Sequence, residues 1–191
     1  TKVYRPGFGI FGLASSLYDQ MKLPVVISPF LREIAWKTRE NAHLAVKSGT
    51  QAVFIDREQG SNRISTNTNI GDTEELYCTA VGKCLICDYS RQDLGTLFDD
   101  HPFERFTDRT VTDIDALSAE LTEVKNQGYA VDMEEYESNV VCLACPIVNY
   151  QGRIIAAIGV SGPKDRGLPD LDRNIGIVRD AAEQINRLLA G

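Results

Sequence analysis

Histidine is nearly missing from this chain, with two among 191 residues. A histidine-based metal centre or catalytic triad is therefore poorly supplied. Each histidine reads as an ordinary residue of its segment, His43 in an alternating strand and His101 in a loop. Basic charge is also short: 20 Lys and Arg against 27 Asp and Glu give a net charge of −7. That is the wrong sign for a surface that grips nucleic-acid phosphates by itself. A small anion is still compatible, held by local backbone dipoles rather than by the overall field. Long apolar runs are absent. The longest is Val140 to Val148, whereas a membrane span needs about 20 residues, so no membrane partner is expected. No secretory leader opens the chain, because Thr1-Lys2-Val3-Tyr4-Arg5-Pro6-Gly7 is polar and turn-rich. The first residue is not Met, which reads as a cut or processed chain with sequence upstream. Repeats and low-complexity tracts are also lacking.

The composition is that of a globular domain, 43% apolar and 25% charged. The length fits one domain with a short appendage. Five cysteines stand at 78, 84, 87, 142 and 145. An odd number without signs of secretion points to free thiols in a reducing cytosol.

Residues 1–12, with Gly7, Gly9 and Gly12, read as a linker or the end of another element. A helix is predicted over Leu13 to Leu23. Pro24 and Pro29 break the pattern, and a second helix fits Phe30 to Arg39. The period then changes to two. Ala42 to Val46 and Ala52 to Ile55 read as a hairpin turning at Ser48-Gly49-Thr50, Arg63 to Thr66 as a third, polar strand, and Asn67 to Glu75 as loop. Thr79 caps a helix that ends near Asp88, and a short helix follows around Leu94 to Phe98. Asp99 to Arg109 look irregular. Thr112 and Asp115 have capping-box spacing for a helix lined by Ile114, Leu117, Leu121 and Val124, with Gly128 as its C-terminal cap. Tyr129 to Met133, Val140 to Val148 and Arg153 to Val160 are strand-like, the last two joined by a tight turn at Asn149 to Gly152 and so antiparallel. Leu171 to Leu189 is an amphipathic helix. Strands in two hairpin-linked sets, with helices around them, give an α+β fold with an antiparallel sheet.

Cys84-x-x-Cys87 and Cys142-x-x-Cys145 suggest a zinc site, but the two halves are far apart. Cys142 and Cys145 would also point to opposite faces of one strand. Small buried thiols are the simpler reading, and no metal is expected. The acidic run from Asp132 to Glu137 reads as a solvated turn, except that Asp132 continues a strand, beside Ala130 and on the face opposite Tyr129 and Val131, where the pattern fits an exposed residue as well as an inward one. Gly159 and Ser161 share a face of the last strand with Ala157 and Ile155. These small residues leave room for close packing of a helix, which the pattern favours, or for a cavity. The helix start at Thr79-Ala80-Val81-Gly82-Lys83 offers free amides and a dipole that suit a carboxylate. It lacks the spacing of a phosphate loop.

Taken in order, Ala42-His43-Leu44-Ala45-Val46, Phe54-Ile55-Asp56-Arg57, Tyr77-Cys78-Thr79-Ala80-Val81-Gly82-Lys83, Gly128-Tyr129-Ala130-Val131-Asp132, Val141-Cys142-x-Ala144-x-Pro146 and Ala156-Ala157-Ile158-x-Val160-Ser161-Gly162-Pro163 resemble one family. This is the C-terminal effector-binding domain of the IclR family of bacterial transcription regulators. The resemblance covers about residues 13–190 and implies a GAF-like fold that assembles as dimers or tetramers. Residues 1–12 are similar to the end of the winged helix-turn-helix domain that precedes it, through which DNA would be bound. It also implies a pocket for a small carboxylate metabolite, with no cofactor. The carboxylate would meet the backbone N–H groups of Ala80 and Val81. Asp132 and Cys142 would contact a hydroxyl or hydrated carbonyl, Ser161 would donate, and Val140 would form an apolar wall. Three positions depart from the family pattern. Glu74-Glu75 stand where Leu-Pro is common, Tyr77 stands for His, and Gly159 stands for a polar residue. Tyr77 and Gly159 are therefore expected to reshape the site around a larger or different ligand, and Tyr77 removes a potential metal ligand.

The expected function is thus a ligand-sensing regulatory domain without catalysis. The rival reading is a GAF-like enzyme using Cys142 or Cys78 as a reactive thiol, although neither has an evident histidine partner in sequence.

Overall fold

A computed structural model describes residues 23–190. The helix read over Leu13 to Leu23, apart from its last residue, and the linker over residues 1–12 lie outside the described residues. Helix α1 runs Leu23–Thr38 and is followed by strands β1 (Asn41–Ser48), β2 (Gln51–Glu58) and the short β3 (Thr73–Glu75). Helices α2 (Ala80–Ile86), α3 (Arg91–Leu97) and α4 (Ile114–Gln127) come next. Strands β4 (Ala130–Met133), β5 (Val140–Val148) and β6 (Ile154–Pro163) then precede α5 (Lys164–Gly167) and α6 (Leu171–Ala190). All strand pairs are antiparallel, in one sheet of order β3-β2-β1-β6-β5-β4. The α+β expectation holds.

The sheet is buried on both faces, which is why β5 and β6 are apolar at nearly every position. In β1, Ala42 and Leu44 face α1 and α6, while Ala45 faces α2, α3 and α4. In β5, Leu143, Cys145 and Ile147 join the first layer, while Cys142 and Ala144 join the second. Cys142 and Cys145 thus lie on opposite faces, as the strand period requires. Ile27, Leu31 and Ile34 of α1 are fully buried, each contributing about 1.5–3 kcal/mol of apolar burial.

Several local expectations are corrected. α1 starts at Leu23 rather than Phe30 and passes through Pro29. Pro24 occupies the first turn, where a missing N–H costs nothing. Pro29 leaves the carbonyl of Val25 without its helical donor, but Val25 is exposed and water can serve it. Ser28 Oγ of the same helix donates to Asp56 Oδ2 at 2.5 Å. Arg63 to Thr66 is not a strand. Its carbonyls are taken by side chains instead: Asn41 Nδ2 donates to Thr66 O at 2.7 Å and Arg166 to Ile64 O at 2.6 Å. The third partner of the hairpin is β3, the end of the segment read as loop, where Gln51 pairs with Glu75. Asp113, not Thr112, caps α4, its Oδ1 accepting from Ala116 N at 2.8 Å. The capping box belongs to α3, between Ser90 and Asp93, and Cys87 is the C-cap of α2 rather than a mid-helix residue. Gly128 ends α4 in the left-handed conformation, φ 79°.

α2 folds back closely on the segment that leads into it through a glycine. A Cβ on Gly82 would lie 2.5 Å from both Cα and O of Leu76. Alanine is favoured over glycine in helices by about 1 kcal/mol, but overpacking against backbone costs about 1–3 kcal/mol. Gly82→Ala is therefore expected to lower stability by about 1–2 kcal/mol, read as a reduced urea midpoint.

Candidate functional site

Where β1, β5 and β6 meet the start of α2, the second face of the sheet is not filled. A cavity of about 310 Å³ opens there, within the size range of small-molecule pockets. The small residues of β6 thus divide: Gly159 and Ser161 border the cavity, while Ala157 packs in the core layer with α2, as the pattern favoured. Ala80, Val81, Asp132, Val140, Cys142, Gly159 and Ser161 all line it. Tyr77, the remaining candidate, does not. Its ring stacks on Phe103 at 4.3 Å between centroids and its hydroxyl donates to Glu104 O at 2.9 Å. It is a core residue that anchors the irregular segment after α3.

Each wall has a local cause. Thr79 caps α2, its Oγ1 accepting from Gly82 N at 3.2 Å. The amides of Ala80 and Val81, in the first turn, have no acceptor among the described residues. Asp132 comes inward because strand alternation sets it beside Ala130 and opposite Cys142, its register partner. Its Oδ1 accepts from Glu135 N at 2.7 Å. That turn is shaped by Glu134, which adopts a left-handed φ of 68°, and by Thr107 Oγ1 and Thr110 Oγ1, which donate to the carbonyls of Glu134 and Glu135 at 2.7 Å each. Gly159 faces His43 in the β1–β6 register. A Cβ on Gly159 would lie 2.4 Å from Leu143 O of β5, so the β5–β6 pair accepts no larger residue there without a shift.

Sequence reasoning missed several lining residues. His43 was read as an ordinary strand residue. Its Nε2 lies 2.7 Å from Ser161 Oγ, which lies 2.5 Å from Thr66 Oγ1. Its Nδ1 is buried without a partner. Burial, then the charge of Arg57, pushes His43 down to about 4, so the ring is neutral at pH 7. Alternation alone would place it beside Ala45, but only the register reveals Gly159 and Ser161 opposite. Phe54, Tyr136, Asp72, Glu74 and Glu137 also line the cavity, and nothing periodic marks them in the sequence.

Below the cavity floor lies a buried ion pair. Lys83 Nζ donates to Glu135 at 2.6 and 2.7 Å and to Glu120 at 2.5 Å. Burial opposes its charge, but the two carboxylates hold its pKa up. Asp132 is raised to about 6 by burial, partly offset by the Glu135 amide and Lys83. Glu74 is raised to about 7 by burial, then by Asp132, Glu137 and Asp72. Burial, then Asp132 and Glu74, pushes the Cys142 thiol well up, and Cys78 moves the same way, first by burial. Both are poor thiolates.

The family pattern described as "Bacterial transcriptional regulator IclR C-terminal" matches residues 16–187. The chain belongs to the IclR family. It is 28% identical over 184 residues to the HTH-type transcriptional repressor AllR of Klebsiella pneumoniae, covering 96% of this chain and 68% of that protein. Among solved structures, the Thermotoga maritima IclR superposes with a TM-score of 0.87 at 27% identity, over 98% of this chain and 76% of that one. The C-terminal domain of Escherichia coli transcriptional regulator KdgR gives 0.79 at 28% identity, over 89% of this chain and 99% of that one. The chain is thus the effector-binding regulatory domain of an IclR-type transcriptional regulator. Its family is one of regulators rather than enzymes, and the thiol-enzyme alternative at Cys142 or Cys78 has no support.

Two outcomes follow from the charges. Removing Lys83 leaves Glu135 buried without its cation, so Lys83→Met is expected to cost about 3–5 kcal/mol of stability, read by urea denaturation. For Glu74, the folded pKa of about 7 stands above the ordinary value of 4.5. Its contribution to stability is therefore present below that lower value and is lost as pH rises toward 7. Glu74→Gln is expected to lose less stability than wild type between about pH 5 and pH 8, measured by denaturation at both ends.

Proposed function

We propose that this IclR domain senses a small carboxylate metabolite in the cavity above β6 and passes its presence to DNA-binding domains that precede it. The single observation that carries this reading is the pairing of unused amides at Ala80 and Val81 with a buried Asp132 across one cavity. Free N–H groups in a helical first turn suit a carboxylate. Asp132, about 98% removed from solvent by its 2% exposure, suits a hydroxyl or hydrated carbonyl at the ligand's other end. Ser161 donates, Cys142 contacts the polar end, and Val140 gives an apolar wall. Gly159 lets the strands approach closely and leaves the space above it open. Tyr77 acts at a distance, by shaping the wall that carries α2.

DNA is bound through a helix-turn-helix domain, of which residues 1–12 are the trailing end, and residues 13–191 form the sensor. The regulator works in the cytoplasm as a homodimer or tetramer, without cofactor or metal. The ligand alters DNA affinity only by its different affinity for two arrangements of that assembly.

Calorimetry against small keto, hydroxy and aromatic acids tests the reading. At least one is expected to bind, and Asp132→Ala to weaken it by about 1.5–3 kcal/mol, with Ser161→Ala acting in the same direction. Absence of any binding, or unchanged affinity in Asp132→Ala, would sink the assignment and leave a plain dimerisation module.

A further inference from the structure

The charged groups around the cavity are one-sided. Asp72, Glu74, Asp132 and Glu137 line it, whereas neither Lys nor Arg does. The side chains of Glu74 and Glu137 enter no ion pair and no hydrogen bond among the described residues. Asp132 accepts from the backbone amides of Glu135 and Tyr136, but no cationic side chain lines the cavity beside it. A carboxylate ligand by itself would add negative charge to this set. Amides at the helix start can hold one end of it, but they leave the acids without a partner.

An independent observation comes from the opposite wall. His43 lines the same cavity, is 3% exposed, and keeps Nδ1 without any partner. With Nε2 donating to Ser161, the neutral ring presents a bare lone pair at Nδ1, an acceptor in want of a donor. Phe54 and Tyr136 add aromatic rings to the lining, and a cation near a ring face is favoured. A metal ion is the other way to balance four acids. Among the described residues, however, no group of three or more His, Cys, Asp or Glu is placed to hold one.

We propose that the ligand carries a protonated amine in addition to its carboxylate, the amine being held by Glu74, Glu137 and Asp132 while the carboxylate meets the first turn of α2. This rests on the carboxylate-sensor reading and narrows it to amino-bearing acids. An ammonium donates up to three hydrogen bonds and accepts none. It therefore matches a wall of acceptors, and it brings a positive charge to a lining whose charged residues are all acidic.

Calorimetry on the purified chain tests this with matched sets: beta-alanine, aminovalerate, aminohexanoate and para-aminomethylbenzoate, each beside the hydroxy acid and the unsubstituted acid of the same skeleton. The amino member of at least one set is expected to bind roughly tenfold or more tighter than its partners, the size of one charge-assisted hydrogen bond. Glu74→Gln and Glu137→Gln, checked for cooperative unfolding, are expected to remove that preference while retaining the acid's own affinity. If the plain or hydroxy acids bind as well as the amines, the amine inference fails and the carboxylate sensor stands. If the preference survives both substitutions, these acids do not read the amine and the inference likewise fails. If no member of any set binds, the inference and the sensor reading fall together.

Discussion

The buried ammonium of Lys83 is the contact on which the cavity depends. It leaves α2 and reaches Glu135 in the turn after β4 and Glu120 on α4. One side chain thereby fixes the distance between the helix that ends in free amides and the turn whose backbone positions Asp132. A pair of charges this deep seldom adds much net stability, because removing both ions from water is costly. What it supplies is placement: with Glu135 held, its amide meets Asp132, and the aspartate cannot rotate out of the cavity without giving up that donor.

Much of the fold is legible in the sequence, for local reasons. The turn at Asn149 to Gly152 and the alternation on either side of it specify the β5–β6 pair, whereas the same period sets Asp132 opposite Val131 without saying which face is buried. Gly128 and the apolar stripe of α4 declare a helix and its end. Other features depend on partners distant in sequence. β1 pairs with β6, so nothing near His43 announces that it will lie against Ser161. β3 is too short for a period to show, which hides Glu74. Tyr77 was assigned to the pocket by its place in a family segment, yet an aromatic ring there finds Phe103, Phe98 and the carbonyl of Glu104, in a stretch without any pattern. Pro29 looked like a boundary because a proline usually is one, but here the orphaned carbonyl lies toward water.

The cavity is also a place where stability and recognition oppose one another. Burial raises both Glu74 and Asp132, and the charge of Asp132 adds to the shift of Glu74, so these buried acids carry a cost in stability. An apolar filling of the same space would serve the core better. The thiols fit this picture. Cys142 contributes a small, inert wall, and the remaining cysteines pack as modest apolar groups within the two layers.

The stretch from Arg63 to Thr68, which closes one side of the cavity, has consequences of its own. It is secured to the sheet edge by side chains: Asn41 and Arg57 grip the carbonyls of Thr66 and Thr68, Arg166 that of Ile64, and Thr66 meets Ser161. Since no ladder runs along it, swinging it aside breaks only these clasps and spares every strand pair. Displacement of this segment is thereby uncoupled from the integrity of the sheet, and its local opening energy lies below that of the strand ladders.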